Sequence, residues 1–413
     1  MEKAEVAHHL KTLALKAEHT LYHARSTYIA MKGYLHHLQG SPKEALHELW
    51  DAEDTLKQDH LTNFSRHALL IYGNYAWIYY HLANYEMVEL YLGRIHEICR
   101  SLSSPEPYSA QIPEIHAQKG WSLLALGFRN GEEAKKCFQM ALRGDESNQD
   151  FQAGLAISVF ASWAHAQRSD LWKEAVRLME KTLHAQPQNC DAKVYLAILL
   201  QKTDEQRAKS LVEEVVQGSL DPEVLRKAAK VCEPSSLSRA ISVLQHGLTL
   251  APSYHLLHCD LGVCYKKQAE EAPPEEKEEI LAAAVKSFKR AVEMDPQSVS
   301  PKLELAKIYR EKAPLYTEEI YQNLLEEPQR VSKRGQQAIY LHWGDLLLYK
   351  KGLRQEALEM YEAGLAIPSG HEKERQQLRG RLEALAQMCE EDSERDLADA
   401  VHEILHLQPK SEK

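Results

Sequence analysis

The stretch AAKVCEPSSLSRAISVLQHGLTLAP, residues 228–252, contains five residues whose spacing recurs along the chain. In order, they are Ala228, Ala240, Leu244, Gly247 and Pro252. Small residues allow two helix backbones to approach closely, and a bulky residue fills the gap to the next helix. Proline ends a helix because it lacks a backbone N–H. This order therefore predicts two antiparallel helices joined by a short turn.

Further copies of the spacing place the chain among repeat proteins. The clearest are Gly33, Ala45, Leu49 and Ala52; Ser122, Ala134, Phe138 and Ala141; and, with ten inserted residues, Gly262, Ala284, Phe288, Ala291 and Pro296. A helix pair of about 34 residues with this spacing is typical of tetratricopeptide repeats. We predict an all-α fold, a superhelical solenoid of about nine tetratricopeptide helix pairs followed by C-terminal capping helices. Such solenoids generally present a concave binding surface.

The pattern gives approximate bounds for the helix pairs. They are 26–58, 69–100, 115–146, 149–187, 190–219, 221–252, 254–296, 299–327 and 336–368. The fourth pair carries an insertion around SWAHAQRSD (162–170) between its helices, and we expect a loop inside the seventh at EEAPPEEKEE (270–279). Residues 101–114 hold three prolines and predict an irregular linker, and residues 371–408 predict one or two polar-faced capping helices.

Charge divides the predicted solenoid into three parts. We expect an N-terminal subdomain over residues 1–195, a middle one with basic inner helices over 196–312, and a C-terminal one with acidic capping helices over 313–413. The last part has 13 Lys and Arg against 19 Asp and Glu, so it carries −6 of the net charge of −10. This balance argues against unspecific nucleic-acid binding, while the middle part can still form a locally basic surface.

Length and cysteine usage constrain the compartment. The chain of 413 residues has no signal or transit pattern at its start and no apolar run close to the roughly 20 residues that span a bilayer. Its seven cysteines form no C-x-x-C pair and mostly occupy apolar helix positions. We expect a cytoplasmic protein that does not bind membranes.

In repeats of this kind, the first helix of each pair lines the inner groove. Counted from the small residue, the inward positions are about three before, one after and four after it. The residues at these positions combine aromatic and basic side chains; they are Trp77, Tyr80, Lys202, Lys266, Lys307 and Arg310. Such a groove can stack bases and contact phosphates, and it can equally bind an acidic peptide. The spacing leaves both alternatives open.

Two groups of residues have metal-site spacing. The segment HEILH (402–406) matches the H-E-x-x-H pattern, in which two histidines one turn apart hold zinc. It lies near the end of the chain, with almost no sequence left for a third ligand. The second group falls within one predicted helix, where its cysteines cannot share a face with both histidines: His255, His258, Cys259 and Cys264. The chain has no phosphate-binding glycine loop and no nucleophile motif. We expect no metal, no cofactor and no enzymatic activity.

Three segments are more specific than generic repeats. GNYAWIYYHL (73–82) resembles the W-G-N-Y-A-W-V-Y-Y-H block of the interferon-induced proteins with tetratricopeptide repeats. LSSPEPYSAQIPEIHAQKGWSLLALG (102–127) is similar to that family's K-K-L-S-S-P…C-E-K-G-W-A-L-L-K-x-G segment, and YLHHLQGSPKEALHELWDAEDTLKQDH (34–60) to its first complete repeat. The similarity covers roughly residues 10–370. By this resemblance, the chain is identified as a member of the family.

The resemblance implies an interferon-induced, cytosolic effector of innate antiviral defence. Several members bind the 5′ end of single-stranded viral RNA, either triphosphate or cap, in a positively charged tunnel. Others act as scaffolds for family members and signalling proteins. We therefore expect single-stranded RNA in the inner groove, and the alternative is a protein–protein scaffold with little 5′-end recognition.

The resemblance also assigns candidate residues. Trp121 matches the tryptophan that stacks on the cap base, Arg226 matches the arginine of a phosphate-contacting helix, and His258 matches the first histidine of H-H-Q-M-G. Lys16 falls at a family glutamine position. The full candidate set for RNA binding is Trp121, Arg226, Lys227, His258, Lys266, Lys307, Arg310 and Lys16.

Other family positions have changed. Alanines replace a lysine and an arginine at Ala125 and Ala161, and Gly131 replaces a tyrosine near the pocket mouth. Glu223 and Asp260 add negative charge. Each lost cation or donor weakens phosphate binding by about 1.5–3 kcal/mol. The resemblance therefore implies a remodelled 5′-end pocket with weakened triphosphate recognition.

Overall fold

The computed structural model describes residues 3–19, 25–59, 64–110, 112–310, 313–326, 328, 331–368 and 371–407. Regular structure in these ranges is helical, apart from one isolated bridge between Glu106 and Ser109. This confirms the all-α prediction. None of the described helices is long and apolar enough to cross a membrane.

The chain divides into two compact units, Met1–Pro252 and Ser253–Lys413. The helices of the first unit are α1 (Lys3–His19), α2 (Arg25–Leu38), α3 (Pro42–Asp59), α4 (Phe64–His81), α5 (Tyr85–Ser101), α6 (Pro113–Ala125), α7 (Gly131–Gly144), α8 (Gln149–Ala166), α9 (Ser169–Ala185), α10 (Cys190–Leu200), α11 (Glu205–Gly218), α12 (Pro222–Cys232) and α13 (Leu237–Leu250). Those of the second unit are α14 (His255–Glu271), α15 (Pro274–Met294), α16 (Val299–Tyr309), α17 (Pro314–Leu325), α18 (Lys333–Leu346), α19 (Arg354–Leu365), α20 (Glu372–Glu391) and α21 (Arg395–Leu407). The three-part division at residues 195 and 312 stays a prediction.

The helix pairs follow the repeat pattern closely. The first predicted pair is α2 with α3, the ninth is α18 with α19, and α20 and α21 form the C-terminal segment. Helix α1 precedes the first pair and packs against α2. Within each unit, the two helices of a pair pack side by side and each pair contacts the next one, as expected for stacked tetratricopeptide repeats.

The loop predicted inside the seventh pair is mostly helical, so that prediction was wrong. In the seventh pair, α14 continues to Glu271 and α15 begins at Pro274, which leaves only residues 272 and 273 between them. Proline suits the first position of a helix, and the glutamates that follow complement the positive helix start. In the fourth pair, α8 runs on to Ala166 and α9 begins at Ser169. The inserted residues therefore lengthen helices.

The linker prediction is confirmed for the residues that the structure describes. Helix α5 ends at Ser101 and α6 begins at Pro113, and the segment between them holds turns and the isolated bridge. The hydroxyl of Ser104 donates to the carbonyl oxygen of Ser109 at 2.5 Å, which closes this turn.

The small and bulky repeat residues pack as their sizes require. Ala45, Ala134, Ala240 and Ala284 are completely buried. Phe138 of α7 lies between two first helices: a Cβ added to Gly120 of α6 would lie 2.7 Å from its ring, and one added to Gly154 of α8 only 2.2 Å. Glycine is therefore needed at both positions. In the third pair the close approach falls at Gly120, two residues before the predicted Ser122.

Candidate functional site

The first unit brings ionisable groups of α1, α2, α10 and α12 together. Asp221 fixes the start of α12, because its carboxylate accepts a hydrogen bond from the Glu223 N–H at 2.8 Å and Pro222 follows at the first helical position. One turn further on, the Nζ of Lys227 lies 3.6 Å from an Asp191 carboxylate oxygen and 4.7 Å from the centroid of the Tyr195 ring. Both contacts come from α10, so this neighbouring helix holds the ammonium group.

Lys16 of α1 belongs to the same group of charges. Its Nζ lies 5.8 Å from the centroid of the Tyr28 ring on α2. Lys16 is electrostatically coupled to Lys227, and Tyr28 to Tyr195. We call Lys16, Tyr28, Asp191, Tyr195 and Lys227 the inner cluster.

Burial shifts the pKa values of the inner cluster in opposite directions. It lowers the pKa of Lys16 to about 8, and the positive charge of Lys227 adds to the effect. Burial also raises the pKa values of Tyr28 and Tyr195, so both phenols stay neutral at physiological pH. For Lys227, burial works against the charged form, but Tyr195 and the carboxylates of Asp191 and Glu223 outweigh it and raise its pKa. Lys227 is therefore a fixed cation and Lys16 a titratable one.

Arg226 is held by a carboxylate on its own helix. Its Nε donates to one Glu223 oxygen at 2.7 Å and its Nη2 to the other at 3.0 Å. Only 17% of either side chain is exposed, so water screens this two-point ion pair weakly. A phosphate that approaches Arg226 must compete with Glu223.

Trp121 lies on α6, the first helix of the third pair. It packs against a hydrophobic cluster that includes Leu13 of α1 and Tyr28 of α2. Its ring meets that of Phe138 edge-on, with 4.9 Å between the centroids. The indole is thus partly buried and held from two sides, and α1 contributes to its surroundings.

The replaced family positions are tightly packed. Ala125 and Ala161 are both buried, and neither side chain carries a charge. A Cβ on Gly131 would lie 2.5 Å from the backbone nitrogen of Ser162, which leaves no room for a larger side chain there.

The second unit holds the remaining candidates. The carboxylate of Glu304 on α16 accepts from the Nζ of Lys266 on α14 at 2.7 Å and from that of Lys307 at 2.8 Å. The two ammonium groups hold the pKa of this carboxyl below its usual range although burial opposes them. Burial, assisted by Lys307 and Arg310, lowers the pKa of His342 on α18 to about 4. His342 is therefore neutral at physiological pH.

His258 is half-buried on α14. The next residue, Cys259, is buried, and its Sγ lies 3.8 Å from the Ser300 hydroxyl. The candidates thus fall into two sets: Lys16, Trp121, Arg226 and Lys227 in the first unit, and His258, Lys266, Lys307 and Arg310 in the second. In the first set Lys16 is electrostatically coupled to Lys227, and in the second Lys266 and Lys307 share the carboxylate of Glu304.

Comparison with known proteins identifies the family. No family model matches the chain. The antiviral innate immune response effector IFIT1 of Homo sapiens is 32% identical over 358 residues, which are 81% of this chain and 73% of the relative. IFIT1 of Macaca fascicularis is 31% identical over 81% of this chain and 73% of its own length. This chain belongs to the interferon-induced proteins with tetratricopeptide repeats.

Other members of this family agree with that assignment. Human interferon-induced protein with tetratricopeptide repeats 2 is 28% identical over 94% of this chain and 84% of its own length. The solved structure of a human IFIT1 dimer with m7Gppp-AAAA superposes with a TM-score of 0.70 at 27% identity, and covers 98% of this chain and 92% of that one. The human IFIT1 dimer with PPP-AAAA gives a TM-score of 0.68 at 26% identity.

The two metal-like patterns sit on ordinary helices of this family member. The Nε2 of His402 on α21 pairs with a Glu390 carboxylate oxygen at 2.9 Å, and that of His255 with Asp295 at 3.3 Å. Among the residues that the structure describes, no group of three or more His, Cys, Asp or Glu side chains is placed to hold a metal ion. That the protein works without a metal stays a prediction.

Sequence reasoning missed several members of these sites. Tyr195 lies seven residues, or two helical turns, before Lys202, so the periodicity that selected Lys202 also indicates Tyr195. No periodicity signal in the sequence indicated the other four members, because each is brought to its site by contacts between different repeats. These members are Tyr28, Asp191, Glu304 and His342.

Proposed function

We propose that this protein is a cytoplasmic antiviral effector that binds single-stranded RNA along the first helices of its repeats, with a remodelled 5′-end pocket. The observation that carries this proposal is the inner cluster: two lysines on different helices, Lys16 and Lys227, are held in a largely buried setting. Arg226 precedes Lys227 on α12, and Trp121 packs against the hydrophobic cluster that includes Tyr28. Buried cations attract phosphate more strongly than exposed ones do, because water screens them less. The solved human IFIT1 dimers hold PPP-AAAA and m7Gppp-AAAA.

The remodelling is supported by what surrounds the cations. Glu223 occupies two donors of Arg226, and Asp191 lies beside Lys227. A triphosphate brings three to four negative charges, so each nearby carboxylate opposes it. We infer that the RNA strand binds mainly through its backbone and that the 5′ end adds little.

The test is a gel shift of the purified full chain at physiological salt. The RNAs share one single-stranded sequence and carry 5′-triphosphate, cap or 5′-hydroxyl. We expect all three to bind with affinities within about tenfold of each other. A preference of a hundredfold or more for one 5′ end would overturn the remodelled pocket, and no binding to any RNA would overturn RNA binding itself.

The alternative function, a protein scaffold, is favoured by one specific observation. In the second unit, Lys266 and Lys307 share the carboxylate of Glu304, so part of the basic surface is already neutralised. If all three RNAs fail to bind, the same surface is proposed to bind family members or signalling proteins.

A further inference from the structure

One arginine of the second unit has no counter-ion. Arg310 ends α16 and is half-buried, and it forms no ion pair with any residue that the structure describes. Its Nε is buried and has no hydrogen-bond acceptor within the same described residues. Arginines are rarely withdrawn from water unless they are paired, because burial costs a charged group its hydration. Arg310 therefore marks a place that suits an anion.

The two carboxylates of this region already have partners. Glu304 accepts from two lysine ammonium groups, at 2.7 and 2.8 Å. Asp345 accepts from the Tyr361 hydroxyl at 2.9 Å and from the Nε of Arg381 at 2.8 Å. Together with Arg310, four cationic side chains thus lie beside two carboxylates. Among the described side chains of this region, two positive charges therefore lack a carboxylate.

A buried hydroxyl adds a further donor. Tyr321 of α17 is fully buried, and its ring packs near that of Trp343 on α18, with 6.3 Å between the centroids. Its Oη has no hydrogen-bond partner in the part of the chain that the structure describes. Burial raises the pKa of this phenol, while the charge of Arg310 opposes the shift, so the hydroxyl stays protonated within electrostatic reach of the guanidinium. An acceptor placed between Arg310 and Tyr321 would satisfy both donors.

His342 of α18 is the third group at this place. Burial is the main cause that lowers its pKa to about 4. Lys307 and Arg310 add to this shift, and the two nearby carboxylates oppose it. The imidazole is therefore neutral at pH 7 and can donate one N–H. An anion that binds here would stabilise the protonated ring, so its binding would favour the uptake of a proton.

We propose that Lys307, Arg310 and His342 hold one phosphate group in the second unit. Lys307 uses one of its three ammonium donors on Glu304, so donors remain for a second acceptor. A phosphate group offers more acceptor oxygens than a carboxylate and carries up to two negative charges, which matches the two unpaired cations and the spare donors of Arg310 and Tyr321.

The phosphate group can belong to an RNA backbone or to a free nucleotide, since both present the same oxygens. The site lies on first helices of two repeats, α16 and α18. For an RNA strand the inference rests on the proposed function, and it names a contact that is separate from the inner cluster.

The NMR signal of His342 tests the proposal. Histidines of the full chain are labelled with ¹³C, and His342→Gln assigns the resonance. Spectra are recorded between pH 5 and pH 8, where the ring is neutral without a ligand. The probes are inorganic pyrophosphate, a 5′-hydroxyl twelve-nucleotide oligouridylate and a twelve-residue oligoglutamate. We expect pyrophosphate, the oligouridylate or both to raise the pKa of His342 from about 4 to above about 5, which is at least a tenfold gain in proton affinity.

The response to the probes identifies the source of the phosphate group. A shift with the oligouridylate indicates an RNA backbone, and a shift with pyrophosphate alone indicates a free nucleotide. A gel shift with the same oligouridylate, recorded in parallel, reports RNA binding by the whole chain. RNA binding that persists while the His342 resonance stays unchanged contradicts the phosphate site and leaves the proposed function standing.

Two substitutions and a matched control locate the contact. Arg310→Gln and Lys307→Gln each remove one charge, and we expect each to weaken the active probe, followed through the His342 signal, by at least about tenfold. Arg290→Gln removes the same charge from a second helix of this unit, where Arg290 pairs with Glu293 at 2.9 Å. It should leave the affinity unchanged. Circular dichroism identifies a variant that fails to fold, and the other one then decides.

Three outcomes would overturn the proposal. The first is a His342 resonance that neither pyrophosphate nor the oligouridylate moves. The second is an equal loss of affinity in Arg310→Gln and in the control Arg290→Gln. The third is a resonance that only the oligoglutamate moves, which would make this place a contact for an acidic protein.

Discussion

Glu223 limits how strongly Arg226 can attract an anion, since it holds the guanidinium at two points. Replacing Glu223 by Gln removes the negative charge and keeps the side-chain shape. We expect Glu223→Gln to raise the affinity for 5′-triphosphate RNA by about tenfold, because a charge-assisted hydrogen bond becomes available to phosphate. Fluorescence anisotropy with labelled RNA measures this change.

The control for that substitution is Glu213→Gln. Glu213 forms a similar two-point pair with Arg239, away from the inner cluster. It should leave RNA affinity unchanged. If Glu223→Gln behaves like its control, Arg226 does not contact the RNA.

We expect Lys16 to give RNA binding a pH dependence. With its pKa at about 8, this side chain is mostly charged at pH 7 and mostly neutral at pH 9. We expect RNA affinity to fall as pH rises through 8, and the fall to flatten in Lys16→Gln but to persist in Lys43→Gln, which alters an exposed lysine. A pH profile that is identical in all three proteins would exclude Lys16 from the RNA contact.

The same shift affects stability with the opposite sign. The pKa of Lys16 is lower in the folded chain than its ordinary value of 10.5, so the unfolded chain binds more protons between those two values. The contribution of Lys16 to the free energy of unfolding therefore rises as pH increases from about 8 to about 10.5.

At the scale of residues, the sequence predicted which residue types form the site better than it predicted the contacts between them. The family resemblance assigned Arg226, and Lys227 beside it replaces a family tyrosine; both lie in a buried, charged setting. It named Glu223 as an added acid, and the three-residue spacing on one helix explains why Glu223 pairs with Arg226. That Asp191 and Tyr195 hold Lys227 could not be predicted, because this depends on how α10 packs against α12.

At the scale of elements, Phe138 is the side chain on which the third pair depends. It is fully buried and fills the space beside two glycines. We expect Phe138→Ala to lower the free energy of unfolding of the first unit by about 3–5 kcal/mol, through lost burial and the cavity that remains. Urea denaturation followed by circular dichroism measures the change.

Phe128→Ala is the matched comparison, because Phe128 lies on the same repeat but is exposed. We expect Phe128→Ala to lower the free energy of unfolding by less than about 1 kcal/mol. Equal effects of the two substitutions would contradict the packing described for Phe138.

Elements were predictable where local and repeat signals agreed. Every predicted helix pair is present, since apolar periodicity, small residues and end signals fall together there. The segment 270–279 was wrongly assigned as a loop, because two adjacent prolines suggest a break. Pro274 instead begins α15, and the glutamates and alanines that follow it favour a helix.

At the scale of the whole molecule, the salt dependence of binding reports how many phosphates are contacted. Each lost cation–phosphate contact reduces the slope of log affinity against log salt by about one. We expect Arg226→Glu combined with Lys266→Glu, one substitution in each unit, to weaken all RNAs and flatten the slope by about two. Filter binding over a series of salt concentrations measures this slope.

The control is the double variant Lys43→Glu and Arg143→Glu, which reverses two exposed charges on second helices of their pairs. It has the same change in net charge and should leave the slope nearly unaltered. A steep slope in both variants would mean that the RNA path avoids the first helices.

The shared packing of Phe138 also has an evolutionary consequence. Because one ring occupies the space that Gly120 and Gly154 leave open on two successive repeats, no one of these three residues can change size independently. A larger residue fits at either glycine only after Phe138 has been replaced by a smaller residue. A smaller residue at position 138 leaves a destabilising cavity until one of the glycines has been replaced by a larger residue. The order in which substitutions accumulate is therefore constrained, and exchange of a single repeat between relatives would separate the ring from one of its glycines.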